Sequence, residues 1–222
     1  MESTLRPDDE GLPATVLVSD VPDRASVTGA VLCGGASRRM GRDKALLELD
    51  GRTLIERSLE ALSGVAASSL VACGPEPRYA QLGLPLALDG VPDGGPLAGL
   101  CAALEETRTP WLCVLACDMP RASADVLRAL LARAHDQDLD GCLLRTPSGV
   151  EPLFGVYRSS CLEAVRAALA RGERRMISFH GLELSGRRLR VGTLDARELP
   201  PALRDSALNL NTLSEYERER DQ

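Results

Sequence analysis

The sequence is poor in aromatic residues and histidines, and this scarcity excludes several functions. Phe, Trp and Tyr together make up 3% of the 222 residues, too few for the stacking platforms of proteins that bind single-stranded nucleic acid. The two histidines lie in a polar stretch (His135) and before a glycine (His180), contexts typical of surface or structural residues. The core must therefore consist mostly of Leu, Ala and Val.

Long apolar runs and an excess of positive charge are also missing. No run approaches the roughly 18 apolar residues that cross a membrane. The net charge of -6 argues against a general nucleic-acid or membrane-surface binder. We therefore expect no nucleic-acid and no membrane partner, although a local basic cluster can still bind a small anion because salt screens distant charges.

Paired cysteines and a secretory signal are absent as well. The seven cysteines are odd in number, form no C-x-x-C pair and lie in apolar runs, a usage typical of buried, reduced thiols. Residues 1–26 carry acidic residues early and lack a basic start before an apolar core. We predict a cytoplasmic protein in which residues 1–26 form a poorly ordered extension and residues 27–222 a single domain.

From Thr28 onward, short apolar runs alternate with helix-like segments. Continuously apolar strands that alternate with helices indicate a parallel sheet covered on both faces. The pattern predicts an α/β, doubly wound, three-layer α/β/α fold with a mostly parallel, Rossmann-like sheet. The predicted strands are 28–33, 68–73, 84–88, 111–117, 140–145, 152–157, 188–194 and 207–211; the predicted helices are 53–62, 96–104, 123–134, 159–170 and a polar C-terminal helix.

The loop after the first predicted strand has an unusual composition, CGGASRRMGRDK. Gly34 and Gly35 permit close approach of the backbone to a ligand, and the N–H groups of such a turn can converge on phosphate oxygens. Arg38, Arg39 and Lys44 add positive charge. The spacing matches neither a Walker A loop nor G-x-G-x-x-G, so a tight turn with a solvated basic patch stays an alternative.

Two further loops follow predicted strands, at the edge where ligands bind in such sheets. Asp89 precedes a second glycine-rich helix entry that contains Gly95; alone, this segment would be a plain turn. Asp118 directly follows the most apolar run, so its carboxylate needs a cation, a helix N-terminus or a metal as partner. Mg²⁺ suits a carboxylate beside phosphates, and a helix-capping aspartate is the alternative.

Asn209 and Asn211 alternate at the end of the last predicted strand, where they would face the same side. They could cap turns, which is the commoner case, or offer amide groups to a metal, water or phosphate. Three strand-end loops thus carry complementary parts: a phosphate cradle, a cation and a carboxylate for a metal.

The segment LCGGASRRMGRDKALLEL (32–49) resembles the L-x-G-G-x-S-x-R-M-G-x-D-K signature of the molybdenum cofactor guanylyltransferases. GGPLAGL and CDMP resemble two further motifs of that family, and PLFGVYRSSCLEAV and NLNTLSEYE resemble its later segments. The resemblance spans about residues 28 to 218 and implies a nucleotide-diphospho-sugar transferase-like fold. It also implies transfer of GMP from GTP to molybdenum-bound molybdopterin, with Mg²⁺ as cofactor and molybdoenzyme maturation proteins as further partners.

The resemblance also implies residue roles. It assigns nucleotide binding to three loops and a metal to one carboxylate, Asp118. Neutralisation of phosphate charge is implied for Arg38 and Arg39, and the implied catalytic residues are Asp118, Lys44 and Arg39. The implied nucleotide-binding residues are Leu32, Cys33, Gly34, Gly35, Lys44, Asp89, Gly95 and Asp118, and the implied pterin-side residues are Arg38, Glu151, Pro152, Asn209 and Asn211.

Two departures from the family pattern affect these expectations. Cys33 replaces the usual alanine, a small change for a backbone contact. Ala72 and Cys73 stand where some relatives have an asparagine that touches the nucleotide, which puts base selectivity in question. The rival interpretations are a molybdopterin cytidylyltransferase, a phospholactate guanylyltransferase, a non-catalytic nucleotide- or cofactor-binding adaptor and a dinucleotide-dependent oxidoreductase.

Overall fold

The computed structural model describes residues 21–34, 43–184 and 186–221. Within these residues, eleven strands and five α-helices follow one another along the chain. The strands are β1 (Val27–Leu32), β2 (Glu48–Leu49), β3 (Arg52–Thr53), β4 (Ser68–Ala72), β5 (Leu86–Ala87), β6 (Trp111–Ala116), β7 (Gly141–Thr146), β8 (Gly149–Arg158), β9 (Glu183–Leu184), β10 (Arg187–Arg188) and β11 (Val191–Asp195). The helices are α1 (Leu54–Ser63), α2 (Gly95–Glu106), α3 (Ala124–Asp136), α4 (Leu162–Ala170) and α5 (Leu213–Arg220).

Seven strands build one mixed sheet in the order β11-β7-β8-β6-β1-β4-β5. Leu32 at the end of β1 pairs with Ala72 of β4 and Ala116 of β6, all in parallel register. The carboxyl ends of β1, β4 and β6 therefore meet at one edge of the sheet, which we call the carboxyl edge. β8 alone among these seven runs the opposite way, between β6 and β7, so its first residues also lie at the carboxyl edge.

Helices cover both faces of this sheet. Successive β1 residues alternate between two apolar layers, so that Val31 packs in the layer of α1 and α3, and Ala30 packs in the layer of α2 and α4. β1 and β6 are buried at every position, which explains why their sequences are continuously apolar. This arrangement is the three-layer α/β/α architecture with a mostly parallel sheet that the sequence predicts.

Local sequence signals explain where the helices begin. Thr53 and Glu56 form a reciprocal capping box at the start of α1, which satisfies two backbone donors that the helix leaves unpaired. Ser123 caps α3, as predicted. Pro96 lies in the first turn of α2, where its missing N–H has no cost.

The second half departs from the prediction in one segment that matters for function. The predicted strand 207–211 is wrong, because these residues have no strand pairing. Ala207 and Leu210 are buried three residues apart while Leu208 is exposed, so this segment packs on the core without the alternation of a strand. Leu210 lies against Leu49 and Leu54.

Two other predictions concern the N-terminal extension and membranes. Residues 1–20 lie outside the described residues, and the boundary at residue 26 stays a prediction. None of the helices in the described part of the chain has the length and apolar character to cross a bilayer.

Candidate active site

An ion pair between Lys44 and Asp118 lies at the carboxyl edge. Lys44 opens a single 3-10 turn after residues 33–43, which we call the signature loop, and Asp118 lies in the turn that follows β6. Lys44 Nζ donates to Asp118 Oδ2 at 2.9 Å, and both side chains are mostly shielded from solvent. Among the described residues, the other oxygen, Asp118 Oδ1, is buried without a hydrogen-bond partner. Because α3 is capped by Ser123, the alternative of a helix-capping Asp118 is wrong.

Glu151 and Asn209 lie beside this ion pair. The register between β7 and β8 shifts at Leu143/Leu144, a bulge of the kind that redirects side chains near active sites. Asn209 Nδ2 donates to Glu151 Oε2 at 3.4 Å, and the N–H of Leu210 donates to the Asp118 carbonyl at 3.0 Å. Burial raises the pKa of Glu151, the Asn209 amide opposes this, and the charge of Asp118 adds to it.

The backbone groups of Pro152 and Asn211 form hydrogen bonds within the protein. The Pro152 carbonyl accepts a hydrogen bond from the Tyr157 hydroxyl at 2.8 Å. Asn211 is exposed, and its N–H donates to the carboxylate of Glu215 at 2.6 Å. The prediction that both asparagines face the same side of a strand is therefore wrong, and Asn209 is the one that reaches Glu151.

The residues predicted to bind the nucleotide follow β1. The Leu32 carbonyl accepts from the Cys117 N–H at 3.3 Å, and the Cys33 N–H donates to the Ala72 carbonyl at 2.8 Å. These bonds fix the backbone that leads into Gly34, while a carbonyl oxygen keeps a second lone pair for a ligand. A side chain on Gly34 would stand 3.4 Å from the Gly74 nitrogen, so the two strand-end turns approach each other closely.

Asp89 lies opposite this turn. Its Oδ2 is 3.7 Å from the position that a Cβ of Gly34 would take, and its Oδ1 is 3.8 Å from that of Gly99 in α2. Oδ1 is buried without a hydrogen-bond partner among the described residues, and burial raises the pKa of Asp89. A buried acceptor that the protein leaves unpaired is costly, and a ligand donor would remove that cost.

Gly95 begins α2 with a φ of +62°, and a Cβ there would approach the Arg174 carbonyl to 3.2 Å. Glycine is thus needed both for the left-handed backbone and for the contact. The sequence analysis did not single out Arg174, because it belongs to a basic run, RGERR, that resembles any solvated surface segment.

Three predicted residues, Gly35, Arg38 and Arg39, lie outside the described residues. Their assigned roles stay predictions.

The segment after β4 was missed by the sequence analysis. Arg78 donates to the Cys33 carbonyl at 2.9 Å and to the Cys73 carbonyl at 3.0 Å, and the Tyr79 hydroxyl donates to the Asp43 carboxylate at 2.9 Å. The signal was available, because the rule that loops after strands carry the site applies to β4 as well as to β1, β5 and β6.

Cys73 has a structural environment that bears on base selectivity. It is fully buried, and its thiol faces the Ala87 carbonyl at 3.9 Å. Cys73 therefore does not offer a polar side chain to a ligand at the position where some relatives have asparagine.

The arrangement suits a divalent cation at Asp118. Lys44 already pairs with Oδ2, whereas Oδ1 is a buried acceptor without a donor among the described residues, and the side chains of Glu151 and Asn209 carry oxygen atoms nearby. The described residues contain no group of three or more His, Cys, Asp or Glu side chains that could hold a metal ion alone. Mg²⁺ is usually held by one or two carboxylates together with substrate phosphates and water.

Comparisons with known proteins identify the family of the chain. Residues 29–185 match the family model of the MobA-like NTP transferase domain. A probable molybdenum cofactor guanylyltransferase of Carboxydothermus hydrogenoformans is 33% identical over 195 residues, covering 87% of this chain and 94% of the relative. Another, from Opitutus terrae, is 36% identical over 200 residues, covering 88% and 96%.

Solved structures show the same architecture. Molybdopterin-guanine dinucleotide biosynthesis protein A from Archaeoglobus fulgidus superposes with a TM-score of 0.69 at 26% identity, covering 87% of this chain and 97% of that one. The 2-C-methyl-D-erythritol 4-phosphate cytidylyltransferase of Thermus thermophilus has a TM-score of 0.59 at 20% identity, covering 86% and 96%, and shows the shared fold alone. The predicted nucleotide-diphospho-sugar transferase-like fold is thereby confirmed, and the chain belongs to the MobA-like NTP transferase family, as a nucleotidyltransferase of the molybdenum cofactor guanylyltransferase group.

Proposed function

We propose that this protein transfers GMP from GTP to molybdenum-bound molybdopterin, forming the guanine dinucleotide cofactor and releasing pyrophosphate. The observation that carries the proposal is the Lys44–Asp118 pair, in which Asp118 Oδ1 is buried without a hydrogen-bond partner among the described residues. The pair lies at the same edge of the sheet as the turns at Gly34 and Asp89. The proposal is further supported by relatives named as guanylyltransferases over most of their length.

The reaction needs positioning and charge neutralisation more than proton transfer. The nucleophile is the terminal phosphate of the pterin, a monoester whose second pKa lies near 6, so it is already mostly dianionic at neutral pH. It attacks the α-phosphorus of GTP, the bond from that phosphorus to the bridging oxygen breaks, and pyrophosphate leaves with the electron pair. No general base is required, which is consistent with the His180 ring lying against Phe179 and Tyr157.

Each part of the site then has one task. Asp118, with Glu151 and Asn209 beside it, would hold Mg²⁺, which supplies charge stabilisation at the phosphates when bound. Lys44 contacts the phosphates as a mobile point charge. Gly34, Gly35 and the backbone of Leu32 and Cys33 line the nucleotide, while Asp89 accepts from it and Gly95 lets α2 begin close by.

The proposal assigns the pterin side to Glu151, Pro152, Asn209 and Asn211. The hydrogen bond from Asn209 to Glu151 and the effect of the Asp118 charge on Glu151 support this assignment for those two residues. Arg38 and Arg39 neutralise phosphate charge as the two anionic substrates meet. The proposal places the reaction in the cytoplasm, where GTP is available and free thiols persist.

A pyrophosphate-release assay tests the proposal directly. The protein is supplied with Mg²⁺, molybdenum-bound molybdopterin and, in separate reactions, GTP, ATP, CTP or UTP. We expect turnover with GTP to exceed that with each other nucleotide at least tenfold. Preference for CTP would identify a cytidylyltransferase instead, and nucleotide binding without pyrophosphate release would identify an adaptor.

A further inference from the structure

The segment after β4 has a strained backbone that the nucleotidyl transfer just proposed does not explain. Tyr79 has a φ of +69°, a left-handed conformation that is unfavourable for a non-glycine residue. Tyr79 is nevertheless buried, with 5% of its surface exposed. Strain of this kind persists where surrounding contacts hold it in place.

Arg78, the preceding residue, connects the ends of two strands. One guanidinium nitrogen, Nη2, donates to the carbonyl of Cys33 at 2.9 Å and to that of Cys73 at 3.0 Å. Nε donates to the Cys73 carbonyl at 3.3 Å. Because Cys33 immediately precedes Gly34, Arg78 fixes the direction in which the chain leaves β1.

Arg78 and Tyr79 also reach the other end of the signature loop. Nη1 of Arg78 lies 3.8 Å from Asp43 Oδ2, and the Tyr79 hydroxyl donates to both Asp43 oxygens at 2.9 Å. Burial and the bond to Asp43 raise the pKa of Tyr79 far above its usual value, so the hydroxyl remains a donor at physiological pH.

Asp43 connects the contacts of Arg78 and Tyr79 to Lys44. Its carboxylate accepts the Ala45 N–H at 3.1 Å and so caps the 3-10 turn that Lys44 opens. The direction of the Lys44 side chain toward Asp118 therefore depends on a carboxylate that Tyr79 and Arg78 hold.

We propose that Arg78 and Tyr79 form a clamp that positions the signature loop by gripping the chain at Cys33 and at Asp43. They are positioning residues, because they act through the backbone near Gly34 and through Lys44. This inference rests on the proposed function for its kinetic consequences, but the clamp itself is a contact within the protein and can be measured without substrate.

The chain contains a matched control for the clamp. Arg158 also donates from Nε to a backbone carbonyl, that of Leu139, at 2.9 Å, and from Nη2 to Asp138 at 3.0 Å. It lies over the Trp111 ring at 4.8 Å, as Arg78 lies over Tyr79 at 5.4 Å. The two side chains are 33% and 34% exposed, but Arg158 lies at the amino end of β6, on the opposite edge of the sheet.

The experiment compares Arg78→Met, Arg78→Lys, Tyr79→Phe and Arg158→Met with the wild type. Amide hydrogen exchange is measured in the nucleotide-free protein, followed by KM for GTP and kcat. For Arg78→Met we expect at least fivefold faster exchange at residues 45–47 and a roughly tenfold higher KM, with partial recovery in Arg78→Lys.

Tyr79→Phe removes a single hydroxyl and leaves the contacts of Arg78. We expect faster exchange at residues 45–47 and a several-fold lower kcat/KM, a smaller loss than in Arg78→Met, because the variant releases Asp43 and Lys44 but not Cys33. Arg158→Met should lower the unfolding temperature while leaving exchange at 45–47, KM and kcat within about twofold.

Unchanged exchange at residues 45–47 in both Arg78→Met and Tyr79→Phe would overturn the clamp, as would equal changes in Arg158→Met. Wild-type protein without GTP turnover would instead overturn the proposed function. In that case, the exchange data alone decide whether the clamp exists.

Discussion

Two aspartates at opposite edges of the sheet differ in how their oxygens are used. Asp140, before β7, is fully buried, and both oxygens are bonded: Oδ1 accepts from Arg187 at 2.7 Å and Oδ2 from the Arg190 N–H at 2.9 Å. Asp118, after β6, has one oxygen on Lys44 and a second that is buried and unpaired among the described residues. The carboxylate of Asp140 is fully satisfied within the fold, whereas that of Asp118 keeps one acceptor for the metal ion that the proposed function assigns to it.

Burial alone therefore does not distinguish structure from function. The useful observation is the balance of acceptors and donors, because a buried polar atom without a partner is rare in a native protein and calls for an explanation. Asp89 repeats the pattern of Asp118, with Oδ1 unpaired, and it too lies at the carboxyl edge.

Replacing Asp118 should have the largest effect. We expect Asp118→Ala to lower kcat about 10²-fold or more, the scale of losing one key electrostatic group, ~3 kcal/mol. The measurement is pyrophosphate release with GTP and Mg²⁺ at saturation, and circular dichroism checks that the variant is folded. A near-normal rate would contradict the assigned role and would indicate that Asp118, like Asp140, has a structural role only.

The opposite outcome is expected at Asp140. Asp140→Ala should lower the free energy of unfolding by about 2 kcal/mol, because it leaves the Arg190 N–H without its acceptor. In a chain of this size, that corresponds to a fall of roughly 4–8 °C in the unfolding temperature. Activity per folded molecule should be unchanged. A lower kcat in fully folded Asp140→Ala would contradict the structural role of Asp140.

Lys44 should show an intermediate effect. Lys44→Ala removes a charged hydrogen-bond donor, so GTP binding should weaken roughly tenfold and turnover should slow, while the protein stays folded. Loss of folding would instead assign Lys44 a structural role.

Lys44 is also the one lysine among the 26 Lys and Arg residues of the sequence. Labelling with an amine-directed reagent therefore reports on this side chain, apart from the N-terminal amine. GTP should slow the labelling at Lys44 and not at the N-terminus. Equal protection at both amines would contradict contact between Lys44 and the nucleotide.

The smallest effect concerns pH. Because burial raises the pKa of Asp89, the folded protein holds its proton to higher pH than the unfolded chain does. Stability should then fall as pH rises from the ordinary aspartate range through the raised pKa. Asp89→Asn should remove this loss, so that it unfolds at a higher temperature than the wild type at pH 7, with a difference that shrinks on acidification, while binding GTP less well.

Asp195 provides the control for the sign of this effect. Hydrogen bonds from Arg197 lower the pKa of Asp195, so Asp195→Asn should unfold at a lower temperature than the wild type at pH 7. The same direction of change in both variants would show that charge removal, and not the environment of each carboxylate, sets the result.

Much of the fold could be predicted from the sequence because its strands are buried on both faces. β1 and β6 read as unbroken apolar runs, and Thr53 and Ser123 mark helix starts within a residue. Residues 207–211 could not be predicted in this way, because Leu210 is buried by tertiary packing against Leu49 and Leu54 and not by a neighbouring strand.

Candidate site residues could be predicted from the sequence where a charged side chain directly follows a strand. Asp118 and Asp89 occupy such positions, and the structure brings both to the carboxyl edge. The partnership of Glu151 with Asn209 depends on a bulge and a long return of the chain, which no local pattern specifies. The contacts of Arg78 could not be predicted, because the Cys33 carbonyl that it reaches is 45 residues away in the sequence and becomes a neighbour only in the folded protein.

The reversed direction of β8 brings a later part of the chain to the carboxyl edge. Gly34, Lys44, Asp89 and Asp118 all precede β7, whereas Glu151 comes from the hairpin between β7 and β8, whose turn joins Thr146 to Gly149. Under the proposed function, we expect a longer turn there to change the affinity for the acceptor more than the affinity for GTP. One short hairpin would then suffice to adapt a nucleotidyl donor site to different acceptors.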